Sequence, residues 1–220
     1  DGSLKKVSIT ALGGSIGTNG RIEGEIVFFA TLKDLKEAKN IDLKDKIAFI
    51  NQPMDEKQIV TFHAYGGCYA MRNDGAVEAS KKGAKAVIIR SLGSPIDHHP
   101  HTGGMTYDDK VEKIPAAALS TAESEYIRER IKKEKLSFIL EMNCMSYPPK
   151  PSHNVIGEIT GSKYPNKIIT VGGHLDSWDL GEGAHDDGAG IVHSIEALRL
   201  LKTLGYKPLH TIRVVLFMNE

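Results

Sequence analysis

Cysteine is almost missing from this chain: Cys68 and Cys144 are the only two in 220 residues, beside a single tryptophan. Two cysteines cannot build a disulfide framework, and their isolation gives no metal-ligand spacing. They read as separate buried thiols, with a single pairing as the alternative. An excess of charge is missing too, because 28 Lys and Arg balance 28 Asp and Glu. A neutral chain has no electrostatic footprint for nucleic acid or an anionic membrane. The basic stretch from Arg128 to Lys135 does not change this, since it lies near the end of a predicted helix, where cations suit the dipole. No apolar run approaches the roughly 18–20 residues that span a bilayer. Gly13-Gly14-Ser15-Ile16-Gly17 lacks the Lys of a phosphate-binding loop and reads as a turn. What is present is ordinary: 40% hydrophobic and 25% charged residues, enough for one large domain or two small ones.

Proline is sparse except at Tyr147-Pro148-Pro149-Lys150-Pro151. Three prolines in four positions oppose both helix and central strand, so 147–151 reads as a stiff linker. Before it, 1–146 reads as a small mixed α/β or α+β domain. Compact apolar runs predict strands over 25–30, 46–50, 85–89 and 136–142. A helix is expected over 75–82, stopped by Gly83, and a second over 121–134, where Ser120 and Glu123 form a capping box. After the linker, 154–159 and 167–171 are strand-like. Ile191, Ile195, Leu198 and Leu201 recur at helical spacing over 189–204, with Gly205 as the stop. The apolar run 211–218 then predicts a strand. Strand, helix, strand implies a parallel pair joined by a crossover, the unit of a three-layer α/β sheet.

Ligands of such sheets gather beyond the carboxyl ends of the strands, and two polar motifs fall there. His174-Leu-Asp176 follows one strand and Asn219-Glu220 follows the other. Asp186-Asp187-Gly opens the helix between them. A His ligand needs its tautomer fixed, commonly by a carboxylate, and one Asp can offer an oxygen to each of two cations. A glutamate nearby can take a proton from a metal-activated water. Taken singly, each motif has a plainer reading. His-x-Asp is a local hydrogen bond, Asp-Asp-Gly is a helix N-cap with favourable charge, and Asn-Glu is a solvated loop. Their shared placement is what argues for a metal site.

The stretches Ser152-His-Asn-Val-Ile-Gly-Glu-Ile, Gly173-His174-Leu-Asp176-Ser177, Gly183-Ala-His-Asp186-Asp187-Gly-Ala-Gly190 and Val215-Leu-Phe-Met-Asn-Glu220 together resemble the M28 family of co-catalytic zinc peptidases. Thr10 to Thr18 and Pro100-His101-Thr102-Gly103 resemble the protease-associated (PA-like) domain of that group. The resemblance implies a PA-like α/β domain over 1–146, followed over 152–220 by the first part of a three-layer α/β/α peptidase domain. It makes His174 a zinc ligand, Asp186 the carboxylate bridging two zinc ions, and Asp176 the residue that orients His174. Glu220 matches the general base. Asp187 is then a neighbour of the bridging residue, and His185 has no metal role.

The same resemblance implies exopeptidase action on short peptides, above all dipeptides, with aminopeptidase action as the runner-up. It also implies an extracytoplasmic setting and a homodimer. A non-catalytic gating or interaction module built on the PA-like domain is the rival of another class. The sequence stops at Glu220, so the remaining zinc ligands are expected beyond it. A 220-residue piece alone is expected to be inactive, with strand 211–218 unpaired on one side. His98-His99-Pro100-His101 reads as a solvated or structural loop, with substrate contact by His101 and a specific metal site as the alternatives. Trp178 either walls the cleft or simply packs.

Overall fold

In the segments around Ile47, Ile88 and Ala117, alternate side chains enter two different apolar layers, so each run reads as continuously hydrophobic. The computed structural model describes residues 4–220, and the chain divides into two compact units, 1–147 and 148–220. The first contains β1 (Ile9–Ala11), β2 (Ile22–Phe29), α1 (Leu32–Glu37), β3 (Lys46–Ile50), α2 (Thr61–Ser80), β4 (Ala86–Arg90), β5 (Ala116–Leu119), α3 (Thr121–Arg130) and β6 (Ser137–Leu140). They form one sheet in the order β1-β5-β4-β3-β2-β6. The inner four strands are parallel, and the edge strands β1 and β6 run antiparallel to their neighbours.

Ala48, Ile50, Val87 and Ile89 share one buried layer with Leu35 of α1 and Met71 of α2. Ile47, Phe49, Ala86 and Ile88 share the other with Ile127 of α3. Helices therefore cover both faces of the sheet.

Helix α2 starts at Thr61 rather than near residue 75. Thr61 to Asp74 holds Gly66, Gly67 and three aromatic residues, and Val60 offers no side-chain cap, so local propensity says little here. Burial of Ala64, Cys68 and Met71 holds this part of the helix instead. Gly75 lies mid-helix, where an added Cβ would come within 3.3 Å of Ile50 Cδ1, so the missing side chain lets α2 approach the sheet. α3 is shorter than expected, closing at Arg130 before a turn. α1 and β5 were not anticipated. β5 is Ala-Ala-Ala-Leu, a composition that carries no strand signal of its own. Cys68 and Cys144 are separate thiols, and burial pushes both up in pKa.

The second unit contains β7 (Val155–Ile159), β8 (Tyr164–His174), α4 (Gly188–Thr203) and β9 (His210–Phe217). β8 and β9 are parallel and joined by α4, as the pattern required. The sheet order is β7-β9-β8, which corrects the expectation of an unpaired strand over 211–218. β7 folds back antiparallel against β9, so β9 is central and the open edges belong to β7 and β8. Val214 and Leu216 are buried, while Ile156, Ile168 and Phe217 stay largely exposed. No helix among the described residues is long and apolar enough to cross a membrane.

Candidate metal centre

Register decides which side chains meet. His174 is the last residue of β8 and pairs with Phe217, the last of β9, so both strands end at one level. Glu220 follows three residues later, and the backbone N–H of Met218 donates to Asn154 Oδ1 at 2.9 Å, which fixes the exit of β9. The loop from Leu175 to Asp187 returns to the same level to start α4. His174, Asp176, Ser177, Trp178, Asp186, Asn219 and Glu220 consequently line one cavity of about 370 Å³.

Within it the His174 ring is held from both sides. Nδ1 lies 2.8 Å from the Asp176 carbonyl oxygen and must carry a proton to donate to it. Asp176 Oδ1 is buried without a hydrogen bond and lies 3.4 Å from the same nitrogen. Orientation of the ring thus comes first from the Asp176 main chain, with the carboxylate in reserve, rather than from the carboxylate alone. Nε2 is thereby aimed into the cavity, 2.9 Å from Asp186 Oδ1.

Burial of the ring, the strongest single influence, lowers the His174 pKa. The Asp176 and Asp186 bonds together with the Glu220 and Asp186 charges outweigh it, and the net shift is upward. The surrounding negative charge therefore favours a cation beside Nε2. The donor set, an imidazole nitrogen beside carboxylate oxygens, suits zinc. Among the described residues no three His, Cys, Asp or Glu side chains converge into a metal shell.

Trp178, half exposed, stands on the cavity wall beside these groups. Ser177 was overlooked in the sequence, although it directly follows Asp176; its Oγ donates to the Gly181 carbonyl and shapes the loop. Asp187 does cap α4, accepting from the Gly190 N–H, and it makes a second bond that sequence reasoning missed, to the N–H of His174.

His101 belongs to the first unit. Its backbone N–H donates to Ser91 Oγ, and its side chain is exposed. The neighbouring imidazoles do not converge with it. His98 Nδ1 sits 3.0 Å from Glu123, and the His99 N–H closes a turn on Asp97. Glu123 is buried, and desolvation alone would raise its pKa. Hydrogen bonds from Ser120 and His98 more than offset this, and the net shift is downward. A carboxylate held low lends stability that is complete above the ordinary glutamate pKa of 4.5 and drains as pH falls through the lower folded value. Ser120→Ala removes one of those donors and the α3 cap at about 0.5–2 kcal/mol. Acid unfolding followed by circular dichroism is expected to begin at higher pH in this variant than in the unaltered chain.

The fold and cavity define a class, and comparison with known proteins agrees with it. Residues 154–220 match the sequence profile of peptidase family M28. Over 99% of its length it is 40% identical to carboxypeptidase Q of Homo sapiens, of which it spans 44%. A solved structure, the peptidase M28 precursor of Shewanella amazonensis SB2B, superposes with a TM-score of 0.87 at 42% identity, covering 96% of this chain and 48% of that one. The probable leucine aminopeptidase 2 of Aspergillus fumigatus is 28% identical over 93 residues, 42% of this chain and 18% of that protein. The chain thus spans less than half the length of these relatives.

Proposed function

We propose that the chain belongs to a zinc-dependent exopeptidase of the relatives' full length, which cleaves short peptides, chiefly dipeptides with free termini. One observation carries this reading: His174 Nε2 faces Asp186 Oδ1 at 2.9 Å, in a cavity at the carboxyl ends of two parallel strands that Glu220 also lines. His174 would hold one zinc through Nε2, and Asp186 would give an oxygen to each of two. When bound, the metal pair supplies an acidified water and an electrophile for the scissile carbonyl. Glu220 takes a proton from the attacking water and returns it to the departing amine nitrogen. Asp176 keeps the His174 ring from turning, and Trp178 bounds the space left for the substrate. The remaining ligands would come from the part of the domain that follows Glu220 in proteins of that length, and the 220-residue chain by itself would not turn over.

In the same reading 1–146 is a PA-like domain, 147–151 is its linker, and the whole protein is an extracytoplasmic homodimer. The likeness to a leucine aminopeptidase favours a second reading, in which the free amino end is recognised. The deciding assay uses the full-length protein and a dipeptide panel with free, N-blocked or C-blocked ends. Hydrolysis should vanish with a chelator and return with zinc. Cleavage that persists through chelation refutes the proposal, and loss of activity on C-blocked but not N-blocked substrates separates carboxypeptidase from aminopeptidase action.

A further inference from the structure

One carboxylate accounts for the two glycines that flank the His174 and Asp186 motifs. Asp187 Oδ1 accepts the Gly190 N–H at 3.2 Å, which is all that a helix cap requires. Its other oxygen, Oδ2, accepts the backbone N–H of His174 at 3.1 Å, thirteen positions back in the sequence. A Cβ on Gly173 or on Gly190 would run into this carboxylate, so both positions stay bare where it lies between strand and helix.

The consequence concerns the spacing of two ligand-type groups carried on different elements. His174 ends β8, whereas Asp186 stands in the loop before α4. The Asp186 side chain is largely exposed and bonds to nothing but the His174 ring among the described residues. Its placement must come from its backbone, which is joined directly to Asp187. His174 is tied to the same residue by hydrogen bond. A single side chain therefore sets the distance between strand end and loop.

We infer that Asp187 is a positioning residue of the metal centre, holding His174 and Asp186 in register for a shared cation while touching neither the metal nor the substrate. This rests on the zinc reading of the site. Asparagine caps helices as well as aspartate does. Asp187→Asn therefore keeps an acceptor for Gly190 but turns an amide NH₂ towards the His174 N–H. A merely structural cap would tolerate the change, whereas a register tie would not.

The test measures zinc affinity of the full-length protein by competition with a chromophoric chelator, and thermal unfolding of the metal-free form. For Asp187→Asn the expected result is a loss of about 10–100-fold in zinc affinity, the scale typical of partners that orient ligands, with a near-unchanged unfolding midpoint. Gly173→Ala displaces the same carboxylate from the strand side and should weaken zinc similarly. The double variant should be no weaker than the weaker single one. Wild-type affinity in Asp187→Asn, together with lost affinity in His174→Ala, overturns the inference and leaves the zinc reading standing. Wild-type affinity in His174→Ala removes the zinc reading itself.

Discussion

Glu220→Gln in the full-length protein is expected to lower kcat by about 10²–10⁴, the usual contribution of a positioned general base, while KM and bound zinc stay near wild type. The substitution keeps shape and removes the proton-accepting oxygen. Glu220 lines the same cavity as the His174–Asp186 pair, close enough that its charge helps to raise the His174 pKa, yet it makes no side-chain hydrogen bond to either group among the described residues. In the proposed reading Glu220 is the base and not a ligand, so its loss should leave the metal bound. Steady-state kinetics on a dipeptide substrate, read as a KM-against-kcat split, decides it. A large rise in KM with kcat intact would assign Glu220 to substrate binding.

His174→Ala should do more. Among the described residues it is the one imidazole lining the cavity, and its ring is fixed through Nδ1 by the Asp176 carbonyl. If His174 holds zinc as proposed, zinc affinity should fall by more than the roughly 10–100-fold expected for an orienting partner, and hydrolysis should fall with it. Excess zinc should restore only part of the rate, because the vacated position fills with water. The backbone should survive: the His174 N–H remains to bond Asp187 Oδ2, and the β8–β9 pairing is unaffected by the side chain. Circular dichroism and chelator competition on the same sample separate loss of metal from loss of fold.

Much of this site was legible in the sequence because strand ends and polar motifs coincide. The apolar run through Val214 and Leu216 announces β9, and the spacing of Ile191, Ile195 and Leu198 announces α4. A parallel crossover then brings the residues after each strand together. The position of β9 was not legible, since a strand's second neighbour depends on pairing with β7, which no local pattern encodes. The early start of α2 was hidden for a related reason: Ala64, Cys68 and Met71 hold it by tertiary burial, against poor local propensity. At the site, the sequence suggested that a carboxylate steers His174, but the main-chain carbonyl of the same residue, Asp176, is nearer. Backbone acceptors leave no mark on residue type. The second bond of Asp187 was likewise invisible, because capping already explained an aspartate there.

The central claim is a division of labour in which His174 and Asp186 hold metal and Glu220 moves a proton. It is tested most directly by counting zinc per chain, by elemental analysis, in the Glu220→Gln and His174→Ala forms of the full-length protein. The account predicts about two zinc ions in the first, as in wild type, and a clear deficit in the second. Zinc lost from Glu220→Gln, or kept in full by His174→Ala, would contradict it.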